Sequence, residues 1–356
     1  MVKKVLLLLS LMIVTLFGAG FAYIYMAPDL PDNADEIYQQ VIGTELPEFY
    51  HGEEAYAEHD GVKLWYEVNR PDDRPKGTVI LIMGYGSTSI NWPDYYFDPM
   101  VDAGYQVIRF DHRDIGLSTW LDDWDESAPY TLEDIAGDVI AILDHAGVQK
   151  AHVLGMSMGG MVAQSVAINY PDRTLSLTSQ SSTANFGDES LPGIWPETMK
   201  DITRYTAKYM IADNDLESAI KYSLTVSNLF KGNYDKDNLR SGQLSRYEFE
   251  KRKGSNPHAA KHHEAAINAS GSRYEALKKL AIPTLVIHGK ADPLVNFEHG
   301  VKTADLIPDS RRLWVEDLGH DLPRSFAPKI LNELIPFFNE NNGDRSLVEN
   351  LSQSNN

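Results

Sequence analysis

The 356-residue sequence predicts an α/β fold with a mostly parallel central sheet, helices on both faces and a helical lid inserted late in the sheet. Short apolar segments rich in β-branched residues alternate with helical segments from 53 to 183, and this alternation resumes from 281 to 340. Residues 184–280 between these two parts lack the alternation and predict several aromatic-rich helices. The two flanking segments therefore predict one core, and the central segment predicts its lid.

The first element is a hairpin, because two alternating segments flank the turn Asp60-Gly61. A helix follows the N-cap candidate Thr131, whose capping-box partner is Asp134, and it ends at Gly147. The other predicted strands are 78–83, 106–110, 151–154, 174–178, 284–288 and 312–315, and the other core helices are 158–170, 297–306 and one from residue 325.

The amino terminus predicts a signal anchor over residues 1–27. Lys3 and Lys4 precede an apolar segment from Val5 to Ala27, about as long as the roughly 20 residues that span a bilayer. The lysines predict a cytoplasmic start and an extracytoplasmic domain, anchored to the membrane by this segment. A cleaved signal peptide, giving a secreted protein, and a buried core helix are the alternatives. Residues 28–52 predict a polar linker, and residues 341–356 predict a disordered tail.

Composition excludes several function classes. The formal net charge of −19 disfavours nucleic acid as a partner and anionic molecules as substrates. The sequence contains no cysteine, so disulfides, thiolate catalysis and cysteine metal sites are excluded.

The segment Gly155-Met156-Ser157-Met158-Gly159 carries the strongest functional signal. It lies between a predicted strand and a predicted apolar helix, the context of a nucleophile elbow. The turn is so tight that side chains at either glycine would clash. Ser157 is therefore predicted to stand at the carboxyl end of the sheet as a nucleophile.

A serine hydroxyl needs a base to take its proton and an acid to orient that base. His320 follows the last predicted strand, and Asp292 follows the strand before it. Residues 179–186, after an earlier strand, offer no carboxylate as an alternative acid. Either residue alone fits a structural role in a turn, but the order Ser157, Asp292, His320 at three strand ends predicts a catalytic triad.

Two backbone N–H groups are predicted to form an oxyanion hole. One belongs to Met158, which follows the nucleophile, and the other to Tyr85, with Gly84 as the second choice. Trp92 is predicted either to contact the substrate or only to pack.

Three weaker candidates have structural alternatives that we favour. Residues 110–116 contain a cluster that fits a metal site or acid–base site, but a charged loop that braces the site through an internal ion pair is favoured. His258 and His262 have metal-ligand spacing on one helix face, but a solvated face is favoured. His288 is predicted to be a buried, hydrogen-bonded histidine.

Residues 53 to 340 resemble the α/β-hydrolase superfamily, in particular a bacterial branch that includes aclacinomycin methylesterase and related carboxylesterases. The similar segments are Ile82-Met83-Gly84-Tyr85-Gly86, Asn91-Trp92-Pro93, Ile108 to Ser118, Gly155-Met156-Ser157-Met158-Gly159-Gly160 and His288-Gly289-Lys290-Ala291-Asp292-Pro293-Leu294-Val295. The resemblance implies the same triad and oxyanion hole, and it implies no metal or organic cofactor. The membrane segment departs from the family pattern, and the lid has no match in it.

The sequence thus predicts a serine hydrolase that cleaves neutral apolar or aromatic carboxylic esters of small molecules through an acyl-enzyme. A proline-type aminopeptidase, a lactonase and a cofactor-free haloperoxidase use the same residues and remain alternatives. A membrane-tethered binding module without catalysis is the non-enzymatic alternative. Serine at the elbow disfavours dehalogenase and epoxide hydrolase chemistry.

Overall fold

The computed structural model describes residues 23–211, 215–254 and 256–343, and its centre is one eight-stranded sheet. The strands are β1 Glu53–His59, β2 Val62–Asn69, β3 Gly77–Ile82, β4 Tyr105–Phe110, β5 Ala151–Met156, β6 Thr174–Gln180, β7 Thr284–Gly289 and β8 Arg311–Val315. The helices are α1 Ala34–Gly43, α2 Asp94–Asp102, α3 Leu132–His145, α4 Met158–Asn169, α5 Pro196–Thr206, α6 Leu216–Phe230, α7 Asn238–Lys251, α8 Ala259–Ser270, α9 Tyr274–Leu277, α10 Phe297–Leu306 and α11 Ala327–Glu340.

The spatial order of the strands is β1-β2-β4-β3-β5-β6-β7-β8. β2 pairs antiparallel with β1 and β4, and the six strands β3 to β8 are mutually parallel. Parallel strands need crossover connections, which the helices between them supply. The predicted α/β class and its mostly parallel sheet are confirmed.

Two apolar cores lie on opposite faces of the sheet. Helices α3 and α4 pack on one face, with Ile135, Val139 and Val162 fully buried. Helices α2 and α11 pack on the other face, with Phe97 and Phe338 buried. Because both faces are covered, every residue of β5 and all but the first residue of β3 are buried.

The predicted start and end of α3 are confirmed. The Thr131 hydroxyl accepts a hydrogen bond from the Asp134 N–H, and the Asp134 carboxylate accepts one from the Thr131 N–H, which completes the capping box. Gly147, just beyond the helix, has a φ of +70°, a left-handed conformation that favours glycine.

Residues 184–280, here called the inserted segment, join β6 to β7 and contain α5 to α9. Helices α6 and α7 pack against each other there, and α8 packs on α3 of the core. The late helical insertion predicted from the sequence is confirmed.

The segment 28–52, predicted as a linker, is folded in the structure. It contains α1, in which Ala34, Ile37 and Val41 are buried against Ile220 and Leu224 of α6. The spacing of these apolar residues produces one helical face, which the surrounding prolines and acidic residues obscure in the sequence.

The predicted membrane segment, residues 1–27, lies for the most part outside the described residues. Within the described ranges, no helix is both long enough and apolar enough to cross a bilayer. Ala27 is buried with Tyr205 and Tyr209 of the inserted segment. The predicted tail likewise lies outside the described residues from position 344 onwards.

Candidate active site

Ser157 occupies a strained turn between β5 and α4. Its φ of +58° and ψ of −124° are unusual for a residue with a side chain and cost about 1–3 kcal/mol. A Cβ at Gly155 would lie 1.9 Å from the Gly159 carbonyl oxygen, and one at Gly159 would lie 2.1 Å from the Ile82 oxygen. Only glycine fits at either position, as the sequence predicts.

The backbone of Ser157 is held on both sides, while its hydroxyl is left free. Its N–H donates to the Gln180 carbonyl at 3.0 Å, and its carbonyl accepts from Gly160 N–H at 2.9 Å and from the Ser182 hydroxyl at 2.6 Å. The Ser157 hydroxyl makes no hydrogen bond to any residue that the structure describes. These contacts fix the turn and leave the hydroxyl available to a reacting molecule.

Asp292 lies in the turn that follows β7, where it is almost completely buried. Its Oδ1 accepts hydrogen bonds from the N–H groups of Leu294 and Val295, at 2.9 and 2.8 Å. Burial alone would raise the pKa of this carboxyl, but the adjacent His320 and His288 imidazoles hold the pKa below its usual range. Asp292 is therefore an ionised, fixed acceptor.

The structure brings His320 and Asp292 together. His320 follows β8, and its Nδ1 lies 2.8 Å from Asp292 Oδ2. A proton on Nδ1 donates to the carboxylate, which leaves Nε2 unprotonated in the neutral ring. Both loops leave the carboxyl edge of the sheet, where Ser157 also stands. Ser157 and His320 make no hydrogen bond to each other in this structure.

The loop after β3 passes directly beside Ser157. A Cβ at Gly84 would lie 3.0 Å from the Ser157 Cβ and 3.6 Å from its Oγ. Within the described ranges, the N–H groups of Tyr85 and Met158 have no acceptor. Met158 is also the first residue of α4, where N–H groups lack a partner within the helix.

Two buried histidines that the sequence analysis did not assign to the site hold the loop of residues 83–86. The Nε2 of His112 donates to the Met83 carbonyl at 2.8 Å, and the Gly86 N–H donates to Nδ1 of His263 at 3.2 Å. Burial lowers the pKa of both imidazoles, that of His263 to about 3, so both are neutral at pH 7. His112 lies in the charged segment 110–116, but no sequence signal connects His263 to this loop.

Trp92 lies in the apolar core rather than on an open surface. Its side chain is fully buried, its ring packs 5.4 Å from that of Tyr96, and its carbonyl accepts from the Arg109 guanidinium at 3.0 Å. This position favours packing, the alternative that the sequence left open.

The charged loop 110–116 is braced, but by partners on other elements rather than by the predicted internal ion pair. Arg113 pairs with Asp138 of α3 at 2.6 Å, and Asp111 pairs with Arg252 of the inserted segment. Asp111 therefore neutralises a cation, Arg113 is itself neutralised by Asp138, and no cluster suited to a metal ion occurs among the residues described.

His262 is buried, so the expected solvated face is wrong for this residue. Its Nδ1 lies 2.9 Å from Asp114 Oδ2, and its ring stacks 4.1 Å from that of Trp124. His258 is exposed and stacks on His262. His288 is buried, and its Nε2 donates to the Val295 carbonyl at 2.8 Å, as predicted.

A parallel sheet that carries a serine elbow and an Asp–His pair at one edge defines a class of α/β hydrolases. Comparison with known families agrees, since a family described as the alpha/beta hydrolase fold matches residues 77–323. The chain belongs to the α/β-hydrolase family.

Two relatives and one solved structure of the same fold show what the chain is similar to. It is 30% identical to rhodomycin D methylesterase DnrP of Streptomyces peucetius, over 74% of this chain and 91% of the relative. It is 26% identical to the bifunctional esterase/perhydrolase DCH of Acinetobacter calcoaceticus, over 78% and 96%. The crystal structure of a hydrolase from Pseudomonas aeruginosa PA01 superposes with a TM-score of 0.58 at 23% identity, over 80% and 98%.

Proposed function

We propose that the protein is a serine hydrolase of neutral carboxylic esters, with Ser157 as nucleophile, His320 as general base and Asp292 as the acid that orients it. The observation that carries this proposal is the free hydroxyl of Ser157 on a strained elbow. It stands at the sheet edge that also bears the hydrogen-bonded His320–Asp292 pair.

The acylation step follows from the protonation state of His320. As Ser157 Oγ bonds to the ester carbonyl carbon, its proton moves to Nε2 of His320, and the carbonyl oxygen becomes an oxyanion. The carbon–alkoxy bond then breaks, and the alcohol leaves with the proton from His320. Asp292 stays ionised and stabilises the imidazolium, which agrees with its depressed pKa.

Deacylation uses the same residues with water in place of serine. His320 takes a proton from water as the water oxygen attacks the acyl-enzyme carbonyl, and it returns that proton to Ser157 Oγ as the acid product departs. The N–H groups of Met158 and Tyr85, with Gly84 as the alternative, stabilise the oxyanion in both steps.

Two observations favour hydrolysis of neutral esters. The net charge of −19 opposes the approach of anionic substrates. The relatives named as a methylesterase and as an esterase/perhydrolase act on esters by their names, which supports the same reaction class here.

The experiment is hydrolysis of p-nitrophenyl esters, from acetate to palmitate, by the full-length chain and its Ser157→Ala variant. We expect Ser157→Ala to lower kcat at least about 1,000-fold. Ser165→Ala is the matched control, because Ser165 lies buried on the same helix and its hydroxyl has no hydrogen-bond partner in the described part of the chain. Equal activity in Ser157→Ala would contradict the proposal. Inactivity of the wild type on every ester would favour the aminopeptidase, lactonase or haloperoxidase alternatives.

We further propose that the domain lies on the outer side of a membrane, tethered by residues 5–27, or is secreted if that segment is cleaved. The apolar segment behind Lys3 and Lys4 supports this proposal. Protease treatment of intact spheroplasts tests it: the domain is digested if it is external and protected if it is cytoplasmic.

A further inference from the structure

The loop that carries His320 is bonded to the end of α6 by backbone contacts. The His320 N–H donates to the Phe230 carbonyl at 2.8 Å, and the Asn233 N–H donates to the Asp317 carbonyl at 2.9 Å. The inserted segment therefore contacts the loop that carries His320 through backbone atoms. The fold fixes the position of a backbone atom more firmly than that of a mobile side chain.

Two glycines face each other across this contact. A Cβ at Gly232 would lie 2.0 Å from the Asp317 oxygen and 2.6 Å from the Gly319 nitrogen. A Cβ at Gly319 would lie 2.3 Å from the Phe230 oxygen. Neither glycine has a left-handed φ, so closeness of the two chains, rather than backbone conformation, requires glycine here.

Side chains extend the same contact to the His320 ring and to the neighbouring Asp321. The Phe230 ring meets the His320 imidazole edge-on, with 6.2 Å between ring centres. The Tyr234 hydroxyl lies 3.1 Å from Asp321 Oδ2, and the mostly buried Lys236 pairs with the same carboxylate. The inserted segment thus contacts His320 and its loop on one side, and Asp292 of the core contacts His320 on the other.

We propose that Gly232 is a positioning residue for His320: the close approach that it permits lets residues 230–233 set the place of the base relative to Asp292 and Ser157. This inference rests on the proposed function. It differs from a purely structural role, in which a bulkier residue at 232 would lower stability and leave the His320–Asp292 hydrogen bond unchanged.

The test compares Gly232→Ala with Gly193→Ala in the full-length chain. Gly193 lies in the same inserted segment with open space around its Cβ position, so it controls for the substitution itself. Proton NMR follows the low-field Nδ1–H signal of the His320–Asp292 hydrogen bond, assigned by its loss in Asp292→Asn. This signal reports the geometry whether or not a substrate is known.

We expect Gly232→Ala to shift or abolish this signal and to lower kcat on p-nitrophenyl acetate about 10- to 100-fold, because a misplacement of about 1 Å costs that much. KM should change less than threefold, and Gly193→Ala should match the wild type. An unchanged signal in a folded Gly232→Ala would overturn the inference. An inactive wild type would instead contradict the proposed function, and the NMR comparison would still decide the positioning role.

Phe230→Leu provides a second variant if Gly232→Ala does not fold. It keeps the backbone hydrogen bond to His320 and removes the ring that faces the imidazole. A smaller shift of the same proton signal, with kcat lowered and KM maintained, would support the inference. A signal and kcat identical to those of the wild type would contradict it.

Discussion

The Gly86 N–H donates a hydrogen bond to Nδ1 of His263, from the loop beside Ser157 to a helix of the inserted segment. Nε2 of the same ring lies 3.2 Å from the Arg113 carbonyl, so the proton belongs on Nε2 and Nδ1 is free to accept. The inserted segment therefore fixes the loop of residues 83–86 beside Ser157, in addition to covering the core.

Replacing His263 with leucine leaves the Gly86 N–H without its acceptor. We expect kcat on p-nitrophenyl acetate to fall about tenfold, less than the 100-fold or greater loss that removal of an oxyanion donor itself causes. KM should change little, because the contact lies behind the loop. His258→Leu changes an exposed histidine on the same part of the chain and is the control. A kcat for His263→Leu within twofold of the wild type would show that the loop holds its shape without this bond.

The depressed pKa of His263 makes stability dependent on pH. The folded-state pKa of about 3 lies below the value of about 6.5 in the unfolded chain, so the unfolded state binds more protons between these values. The free energy of unfolding should therefore fall as the pH is lowered from about 6.5 towards 4, by up to about 1.4 kcal/mol per pH unit from this residue.

Urea unfolding at several pH values measures this dependence. The slope of the free energy of unfolding against pH measures the number of protons taken up on unfolding. This number should be smaller by close to one in His263→Leu than in the wild type. Identical slopes in the two proteins would show that His263 is protonated equally in the folded and unfolded states.

The glycines of the elbow should tolerate no side chain. A Cβ at Gly159 would meet the Ile82 and Met83 carbonyl oxygens at 2.1 and 2.5 Å, both of which belong to fixed backbone. We expect Gly159→Ala to lower the free energy of unfolding by about 1–3 kcal/mol or more and to remove activity. Gly187→Ala, whose nearest neighbour would lie at 3.7 Å, should melt at the wild-type temperature. A wild-type melting temperature for Gly159→Ala would contradict the tight packing of the turn.

The Arg252–Asp111 ion pair joins the inserted segment to the core through two buried side chains. Asp111 also accepts hydrogen bonds from the Ser89 N–H and hydroxyl, both at 2.9 Å. Without the Arg252 guanidinium, its carboxylate would keep these hydrogen bonds but would be a buried charge with no opposite charge beside it. Arg252→Met should lower the free energy of unfolding by about 3–5 kcal/mol. Lys251→Met, at the exposed neighbouring position, is the control, and equal stability of the two variants would contradict the assignment.

Local sequence signals predicted the elements that depend on local physics. The hairpin around Asp60-Gly61, the capping box of Thr131 and the elbow around Ser157 are each encoded within a few residues, and each is found where it was expected. Asp292 and His320 were predicted to lie together because the carboxyl ends of parallel strands meet at one edge, and the structure places them 2.8 Å apart.

The contacts that hold the site could not be predicted from the sequence, because they join residues that are far apart in the chain. Gly86 and His263 are 177 positions apart, and Phe230 and His320 are 90 apart, with no periodicity to link them. The burial of His262 and the packing of α1 were missed for the same reason, since both depend on which helices of the inserted segment meet which parts of the core.

Stoichiometric labelling with a fluorophosphonate, mapped by mass spectrometry, tests the roles of Ser157 and His320 in one measurement, because the reagent phosphonylates an activated serine far faster than an ordinary one. We expect one label per chain, on Ser157, no label in Ser157→Ala, and labelling slowed at least about 100-fold in His320→Gln, which lacks the base. A label on another serine, or equally fast labelling without His320, would contradict the assignment of Ser157 and His320 as nucleophile and base.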